Sequence, residues 1–424
     1  MEIKKIALNL FDRVKISLWF VVLLFPLTVM KVSVTGGAAT VKFRWVMVPI
    51  VGVAAFVLSW IWTRALVWNE RRGQKPDDSS ISYRVKKIVS PLWEKKTVRF
   101  SGLAAVMLFV VLYPHLFGMY HTNIMITALI YVILALGLNI HVGMGGLLNL
   151  GYAAFFAVGA YTYGLLWKYA GSVFAAAGIN AGWLFWIALP LAGIFATIFG
   201  VLVSLPVLRL RGDYLAIITL AFGEIVRMFI QNSGDLTGGA SGISLIPRPW
   251  FFNMKLKPGA AAVYIYYITV ALVALSILVA RRIEDSRTGR ALEAMREDEI
   301  ACEAMGIDLV RNKLITFALG AFWAGIAGVL LAAQTTFINP DSFTLWESIM
   351  ILMAVVIGGT GSIPGAIVGA LLLKLLPEYF RALSQYRMLI YGVAMIVIII
   401  FKPDGLLPRN RKKYAFRTTG EGNQ

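Results

Sequence analysis

Residues 281–313 read RRIEDSRTGRALEAMREDEIACEAMGIDLVRNK, a densely charged stretch in the strongly apolar half of the chain. Apolar segments long enough to cross a bilayer lie on both sides of it, at residues 261–280 and 314–333. Ionised side chains are costly in hydrocarbon, so the charged stretch must lie in water or against another protein. The sequence therefore predicts two membrane helices joined by a loop at the membrane surface.

Within this loop, short apolar residues recur at helical spacing among the charged ones, over residues 291–295 and again over 300–305. Asp298 is placed to cap a second short helix that Gly306 ends, and Asp308 to cap the membrane helix that follows. The pattern predicts two short amphipathic helices at the cytoplasmic surface. The alternative is an ordinary charged loop.

The composition of the chain is that of a membrane protein. Its 424 residues are 59% hydrophobic and 15% charged, and the mean hydropathy is +0.75, which excludes an ordinary soluble domain. The formal net charge of +18 comes from loops and termini, as the positive-inside rule expects, and does not indicate nucleic-acid binding. The single cysteine, Cys302, permits no intrachain disulfide.

We predict an all-α, polytopic transmembrane helical bundle of about 10–12 spans with both termini in the cytoplasm. Residues 1–99 form an N-terminal extension with two membrane segments and a basic linker, 100–407 the membrane core with loop 281–313, and 408–424 a basic tail. The apolar start lacks a small-residue cleavage site, so we expect it to be retained as a span. The predicted segments are 16–30, 45–62, 103–117, 124–142, 147–166, 183–208, 214–230, 261–280, 314–333, 345–357, 366–376 and 389–401.

Two glycine-rich stretches interrupt the apolar segments, at residues 139–151 and 358–365. In the first, polar residues stand beside glycines, which predicts a broken helix near a polar pathway, although helix packing explains the pattern equally well. Neither stretch has the G-x-x-x-x-G-K-[ST] pattern of a phosphate-binding loop, so any use of ATP needs a partner. No catalytic or metal-binding site is predicted. The candidate pathway residues are Asn139, His141, Asn149 and Gly151.

Few charges lie within the apolar segments. Glu224 and Arg227 are three residues apart and can pair on one helix, while Glu347 and Lys374 stand near segment ends. An ion-coupled transporter is expected to bury an unpaired carboxylate, and none stands out. Small residues at every fourth position of 320–332 predict close helix packing.

The loop sequence REDEIACEAMGID, residues 296–308, resembles the cytoplasmic loop of ABC-importer permeases that carries the EAA motif, in the version seen in branched-chain amino acid permeases. In this chain Cys-Glu-Ala at residues 302–304 replaces the common Glu-Ala-Ala triplet. The resemblance implies that the loop docks on an ATP-binding subunit and transmits its closure. The residues to which it assigns this contact are Arg290, Glu293, Arg296, Glu299, Glu303 and Gly306.

Further blocks of the same family follow one another in the expected order. They include LRLRGDYLAIITLAFGEIVRMF at 208–229, INPDSFTLWESI at 338–349 and VVIGGTGSIPGAIVGA at 355–370. The N-terminal extension is similar to that of the longer of the family's two permease types. The resemblance implies a non-enzymatic permease of the bacterial inner membrane that imports leucine, isoleucine or valine.

The resemblance also implies partners: a second, shorter permease, two ATP-binding subunits that use the ATP, and a periplasmic amino acid-binding protein. Lipid surrounds the chain, which itself holds no cofactor. Alternatives are an ABC permease for urea or short amides, an ion-coupled secondary transporter and a non-enzymatic scaffold. The candidate docking residues for the binding protein are Thr237, Gly238, Gly239 and Gly242.

Overall fold

The computed structural model covers the chain in parts. It describes residues 30–35, 38–43, 96–176, 182–207, 213–250, 258–379 and 405–407, with the single residues 49, 389, 392, 393, 395, 396 and 400. The chain divides into two compact units, Met1–Ala105 and Val106–Gln424. Most of the predicted segments 16–30, 45–62 and 389–401, the linker and the basic tail lie outside the described residues. The predicted domain boundary after residue 99 stays a prediction.

The first unit contains a β-hairpin that the sequence did not predict. Strands β1 (Met30–Thr35) and β2 (Ala38–Phe43) pair antiparallel, from Met30 opposite Phe43 to Thr35 opposite Ala38. The sequence between the strands is Gly-Gly, which suits the tight turns of two-residue hairpin loops. Apart from one isolated bridge farther along the chain, the other regular elements of the described residues are helical.

The helical part confirms the predicted all-α polytopic fold. It contains two π-helical turns, Ile140–Met144 and Leu166–Ala170, and two 3₁₀ turns, Gly239–Ser241 and Pro340–Phe343. The α-helices are α1 (Lys96–Asn139), α2 (Tyr152–Leu165), α3 (Gly171–Ala176), α4 (Trp183–Val207), α5 (Asp213–Asn232), α6 (Gly234–Thr237), α7 (Pro258–Asp285), α8 (Arg287–Glu297), α9 (Glu299–Ala304), α10 (Leu309–Thr335), α11 (Leu345–Gly358) and α12 (Ile363–Tyr379).

Six helical segments of the described residues are long and apolar enough to cross a membrane. Because parts of the chain are not described, the total of ten to twelve spans stays a prediction. The six segments are Val110–Met144, Trp183–Pro206, Tyr214–Asn232, Gly259–Asp285, Leu309–Thr335 and Pro340–Gly358.

The helix α1 contains the predicted segment 103–117 and most of 124–142, whose last three residues lie in the π-helical turn, and a break at Gly118 separates the two (φ 71°, ψ 177°). Pro114, inside the helix, has no N–H to offer to the carbonyl of Val110, the residue four positions earlier. The hydroxyl of Tyr266 on α7 donates to that carbonyl at 2.8 Å. A tertiary hydrogen bond thus replaces the one that proline removes, and it ties α1 to α7.

The helix α10 lies at the centre of the bundle and packs mainly against α2 and α4. Its small residues allow this packing, as the four-residue spacing predicted. A Cβ atom at Gly328 would lie 2.4 Å from the carbonyl oxygen of Phe156, and one at Gly325 would lie 2.5 Å from that of Ala192. The helix backbones therefore approach too closely for any side chain at these two positions.

The predicted start of a span at residue 147 is wrong: α2 begins at Tyr152, and residues 146–151 are not helical. Gly146 has φ +67°, which ends the preceding π-turn. The Asn149 side-chain oxygen accepts a hydrogen bond from the N–H of Gly151 at 3.0 Å, so it satisfies a donor that the first helical turn leaves open. From Tyr152 the helical elements then run without a break to Ala176.

Candidate functional site

The charged loop forms the two short helices that its sequence predicts, α8 and α9. Asp298 caps α9, because its Oδ1 accepts from the N–H of Ile300 at 2.8 Å. Asp308 caps α10 in the same way, accepting from the N–H of Arg311 at 3.0 Å. Gly306, with φ +79°, lies just after α9, where few other residues adopt the required backbone conformation. The predicted caps and helix end are confirmed.

These two helices have one buried face and one exposed face. Leu292, Met295 and Cys302 are buried. Ile300 and Met305, by contrast, expose 65% and 82% of their surface. Exposed apolar side chains set among charged residues, outside a membrane span, are typical of a surface that binds another protein. The exposed face is therefore the candidate docking surface of this chain.

Arg296 is exposed, yet its guanidinium reaches back to the turns of the membrane helices. Its Nη1 donates to the carbonyl oxygen of Gly143 at 2.5 Å, and its Nη2 to the hydroxyl of Thr360 at 3.5 Å. Gly143 lies in the π-turn after α1, and Thr360 lies in the turn between α11 and α12. One guanidinium therefore connects the charged loop to both glycine-rich stretches.

Glu299 also makes a contact within the chain. Its Oε1 and Oε2 lie 2.9 and 3.1 Å from the Nζ of Lys313, which is almost fully buried. The ion pair joins α9 to the first turns of α10. A buried ammonium group is tolerated only when it is paired, so this contact fixes the angle between the two helices.

The other predicted docking residues lie at or near the surface. Arg290 is exposed and its Nη1 donates to the carbonyl oxygen of Asp285 at 2.9 Å. Glu303 and Gly306 are exposed, and Glu293 is half-buried. Arg296 is exposed and Glu299 half-buried as well, so all six predicted residues leave some surface for a partner, and these two also hold the loop on its own membrane helices. Which of them contact an ATP-binding subunit stays a prediction.

Asn139 strengthens the junction between the two glycine-rich stretches. It is buried, and its Oδ1 accepts from the N–H of Gly361 at 2.8 Å. A Cβ atom at Gly143 would lie 2.1 Å from this same oxygen, so only glycine fits there. The junction of the two turns is thus held by Asn139 from inside and by Arg296 from the surface loop.

His141, the next predicted pathway residue, lies in the packed interior. Its ring is fully buried and contacts Tyr152 and Phe317, with centroid distances of 5.7 and 5.0 Å. A Cβ atom at Gly320 would lie 2.1 Å from its Cε1. Neither ring nitrogen has a well-formed hydrogen bond among the described residues, although the ring lies beside the Phe317 backbone.

Asn149 and Gly151 lie at the break before α2, beside the membrane-spanning helices α5 and α10. The Tyr152 hydroxyl donates to the carbonyl of Gly320 at 3.0 Å, and Gly320 is roughly 16 Å along α10 at 1.5 Å per residue. A Cβ atom at Gly151 would lie 2.0 Å from the carbonyl oxygen of Thr219 on α5. The broken helix at this depth agrees with the sequence pattern. A role of the four residues in a pathway stays a prediction, because each is enclosed by neighbouring helices.

The predicted binding-protein segment lies at the opposite end of α10 from the charged loop. Thr237 is buried, and its hydroxyl donates to the carbonyls of Ile230 and Ser233 at 2.5 and 2.8 Å. Gly239 is buried too, whereas Gly238 and Gly242 are half-buried and the following loop exposes 83% of Leu245. Thr237 and the three glycines therefore shape the turn, and neighbouring residues such as Leu245 provide most of the exposed surface. Docking at this turn stays a prediction.

A charged cluster on α5 extends a pair that the sequence analysis identified. The predicted contact is confirmed, with the Nε of Arg227 2.8 Å from the Oε2 of Glu224. A third member was missed: the Nη1 of Arg227 lies 3.6 Å from the Oδ1 of Asp341, in the 3₁₀ turn before α11. No local pattern relates two positions so far apart in the chain, so the sequence alone could not reveal this contact.

Comparison with known proteins gives the family. The model of the family described as the permease component of the branched-chain amino acid transport system matches residues 120–399. That range contains the glycine-rich stretches, the charged loop and the cluster on α5. This chain belongs to the branched-chain amino acid transport permeases.

Within this family the chain is similar to the longer permease type, as the sequence predicts. The high-affinity branched-chain amino acid permease LivM of Escherichia coli (strain K12) is 41% identical over 346 residues, which cover 77% of this chain and 79% of that protein. LivM of Salmonella typhimurium (strain LT2) is 40% identical over 353 residues, covering 78% and 80%.

The shorter permease type is more distant. LivH of Escherichia coli (strain K12) is 28% identical over 294 residues, which cover 66% of this chain and 91% of that protein. No solved structure matches the chain significantly.

Proposed function

We propose that this permease is the LivM-type half of an ATP-driven importer for leucine, isoleucine and valine in the bacterial inner membrane. A shorter, LivH-type permease would form the other half of the pore. Two ATP-binding subunits would dock on the cytoplasmic side, and a periplasmic binding protein would deliver the amino acid. Both termini of this chain would be cytoplasmic. The similarity to two LivM proteins at 40–41% identity favours branched-chain amino acids over urea or short amides.

The observation that carries the coupling role is the pair of contacts made by Arg296. The exposed face of α8 and α9 offers a docking surface, and Arg296 reaches from these helices to Gly143 and Thr360. A movement of the loop would therefore pull on both glycine-rich turns at once. The first turn follows α1 and leads to α2, and the second joins α11 to α12, so the movement would reach the membrane helices.

The two short helices are held firmly enough to transmit such a movement. The Glu299–Lys313 ion pair fixes α9 to α10, and Leu292 and Met295 pack α8 against the bundle. Without these contacts, a force applied to the loop by a docked subunit would deform the loop and would not move the membrane helices. ATP-binding subunits would hydrolyse the ATP, since the sequence has no phosphate-binding loop of the Walker type.

Reconstitution tests the transport function directly. Proteoliposomes would hold this chain with its second permease and ATP-binding subunits, with the binding protein and labelled leucine outside and ATP inside. We expect leucine uptake that requires ATP. Uptake driven by an ion gradient in the absence of the ATP-binding subunits would contradict an ABC importer, and uptake of urea instead of leucine would contradict the substrate.

Charge reversal at Glu303 tests the docking surface. Glu303→Arg changes an exposed side chain of α9, so we expect normal membrane insertion but loss of ATP-binding subunits from the purified complex. Asp235→Arg is the matched control, since it reverses an exposed carboxylate at the opposite end of the bundle. If Glu303→Arg retained the subunits as the control does, α9 would not be part of the docking surface.

A further inference from the structure

The helix α5 carries a row of polar side chains along one side. Glu224, Arg227 and Gln231 are three and four residues apart, so they lie above one another on the helix surface. Arg227 contacts Glu224 through Nε at 2.8 Å, and its Nη1 lies 3.5 Å from the Gln231 Oε1 and 3.6 Å from the Asp341 Oδ1. The cluster therefore brings one cation and two carboxylates together.

This cluster runs from the middle of a membrane span to its end, and its side chains are accessible. Along the span Tyr214–Asn232, Glu224 is roughly 15 Å from the start and Arg227 roughly 8 Å from the end at 1.5 Å per residue, and Asp341 is the second residue of the span Pro340–Gly358. The side chains of Glu224, Arg227 and Asp341 are 29%, 22% and 71% exposed. Glu224, near the middle of the span, is costly to expose to lipid, so we expect this side of α5 to face water, another polypeptide or a polar ligand.

A buried hydroxyl beside the cluster points to a ligand independently. Tyr161 on α2 is 3% exposed, and its hydroxyl has no hydrogen-bond partner among the described residues. The side chain interacts electrostatically with Asp341, and its ring packs against Phe343 of the same 3₁₀ turn. Buried hydroxyls are nearly always hydrogen-bonded, so an orphaned one beside exposed charges indicates that a partner binds there.

We propose that Arg227 and Asp341, with the Tyr161 hydroxyl, bind the zwitterionic head of an α-amino acid as it crosses the membrane. Arg227 would bind the carboxylate and Asp341 the ammonium group. This site rests on the proposed function, and it supplies the chemical reason for an amino acid: paired charges of both signs suit a zwitterion and give no advantage to neutral urea.

The geometry of Arg227 leaves donors for the carboxylate. Its contacts with Gln231 and Asp341, at 3.5 and 3.6 Å, are longer than the 2.7–2.9 Å or so of a strong charge-assisted hydrogen bond. Glu224 occupies Nε and thereby orients the guanidinium, whose Nη1 makes only the two long contacts. Glu224 is thus a positioning residue in this site.

The competing explanation is that Arg227 only neutralises Glu224 within the membrane. A double substitution distinguishes the two, because Glu224→Gln with Arg227→Gln removes both charges and leaves no unpaired one. If Arg227 is only a counter-ion, the double variant regains uptake that Arg227→Gln alone has lost. If Arg227 binds the substrate, the double variant stays as slow as the single one.

The experiment uses the complete importer in proteoliposomes, with leucine uptake and ATP hydrolysis measured together. We expect Arg227→Gln to lower the initial uptake rate at least about tenfold, the effect of one lost charge-assisted hydrogen bond. ATP hydrolysis stimulated by the binding protein should continue, and Arg227→Lys should restore part of the uptake. Met228→Leu is the matched control on the same helix, and we expect it to transport as the wild type does.

A second variant keeps the test decisive if Arg227→Gln does not insert. Asp341 is largely exposed, so Asp341→Asn leaves the packing intact, and we expect it to lower uptake by a similar factor. Normal uptake by the Arg227 or Asp341 variants, or rescue by the double substitution, would overturn the site. Failure of the wild-type complex to import leucine would instead overturn the proposed function.

Discussion

At the scale of single residues, Arg296 has a structural role that its position in the charged loop does not suggest. Loop arginines usually contact solvent or a partner. This guanidinium instead donates hydrogen bonds to Gly143 and Thr360, which lie in turns between membrane helices. We predict that Arg296→Gln uncouples the importer, because a neutral, shorter side chain cannot reach both turns. ATP hydrolysis by the assembled complex should continue while leucine uptake falls at least about tenfold.

Its control is Arg287→Gln, which neutralises an exposed arginine of the same helix, α8, that is not among the predicted docking residues. This variant should keep uptake within about twofold of the wild type, as surface substitutions usually do. Equal losses of uptake in both variants would show that the charge of the loop matters, and not the bond from Arg296 to the turns.

Gly151 shows how closely the helices approach at the break before α2. A Cβ atom there would lie 2.0 Å from the backbone oxygen of Thr219, which cannot turn away as a side chain can. We predict that Gly151→Ala destabilises the protein by about 1–3 kcal/mol, the usual cost of overpacking. Gly234→Ala, where nothing lies within 4 Å of the added atom, should unfold at the wild-type temperature in detergent. An unchanged melting temperature for Gly151→Ala would contradict this close contact.

Such residues also show what the sequence alone could predict. The caps by Asp298 and Asp308 follow from local rules, because a capping side chain bonds to backbone two or three residues away. The contacts of Arg296 with Gly143 and of Arg227 with Asp341 join positions more than a hundred residues apart, and no periodicity records them. The short helices of the charged loop and their ends were therefore predictable, whereas the partners of charged side chains far apart in the chain were not.

At the scale of elements, the junction of α9 and α10 depends on one ion pair. Lys313 is almost fully buried and Glu299 is its partner, so removing the lysine leaves a carboxylate largely withdrawn from water. We predict that Lys313→Met costs about 3 kcal/mol of folding free energy, at the lower end for a broken buried pair because Glu299 is one-fifth exposed. Thermal unfolding in detergent measures it.

The matched double variant, Lys313→Met with Glu299→Gln, should recover most of this loss, because it removes both charges and leaves an amide that water can reach. Equal destabilisation of the single and the double variant would mean that packing of the lysine stem stabilises the junction. In that outcome, the ion pair would not be what fixes α9 on α10.

At the scale of the whole molecule, α10 connects two ends of the helical bundle that differ in structure. The charged loop and the glycine-rich turns meet at its start, near Leu309. At its far end, Ile338 pairs with Ile243 through backbone hydrogen bonds of 2.9 and 3.0 Å, next to the turn that contains Thr237. With 27 residues, α10 is roughly 40 Å long at 1.5 Å per residue, so the two ends lie on opposite sides of a bilayer. The proposed importer requires the charged loop inside and the Thr237 turn outside.

Cysteine labelling of the two ends tests this orientation. Met305 and Leu245 are 82% and 83% exposed at opposite ends of α10, while the single native cysteine, Cys302, is buried and can be replaced by serine. In this background we expect a membrane-impermeant maleimide to label Leu245→Cys, but not Met305→Cys, from the outside of spheroplasts. Inverted membrane vesicles without ATP-binding subunits should show the reverse. Labelling of Met305→Cys from outside would place the charged loop away from ATP, and no ATP-binding subunit could then drive this permease.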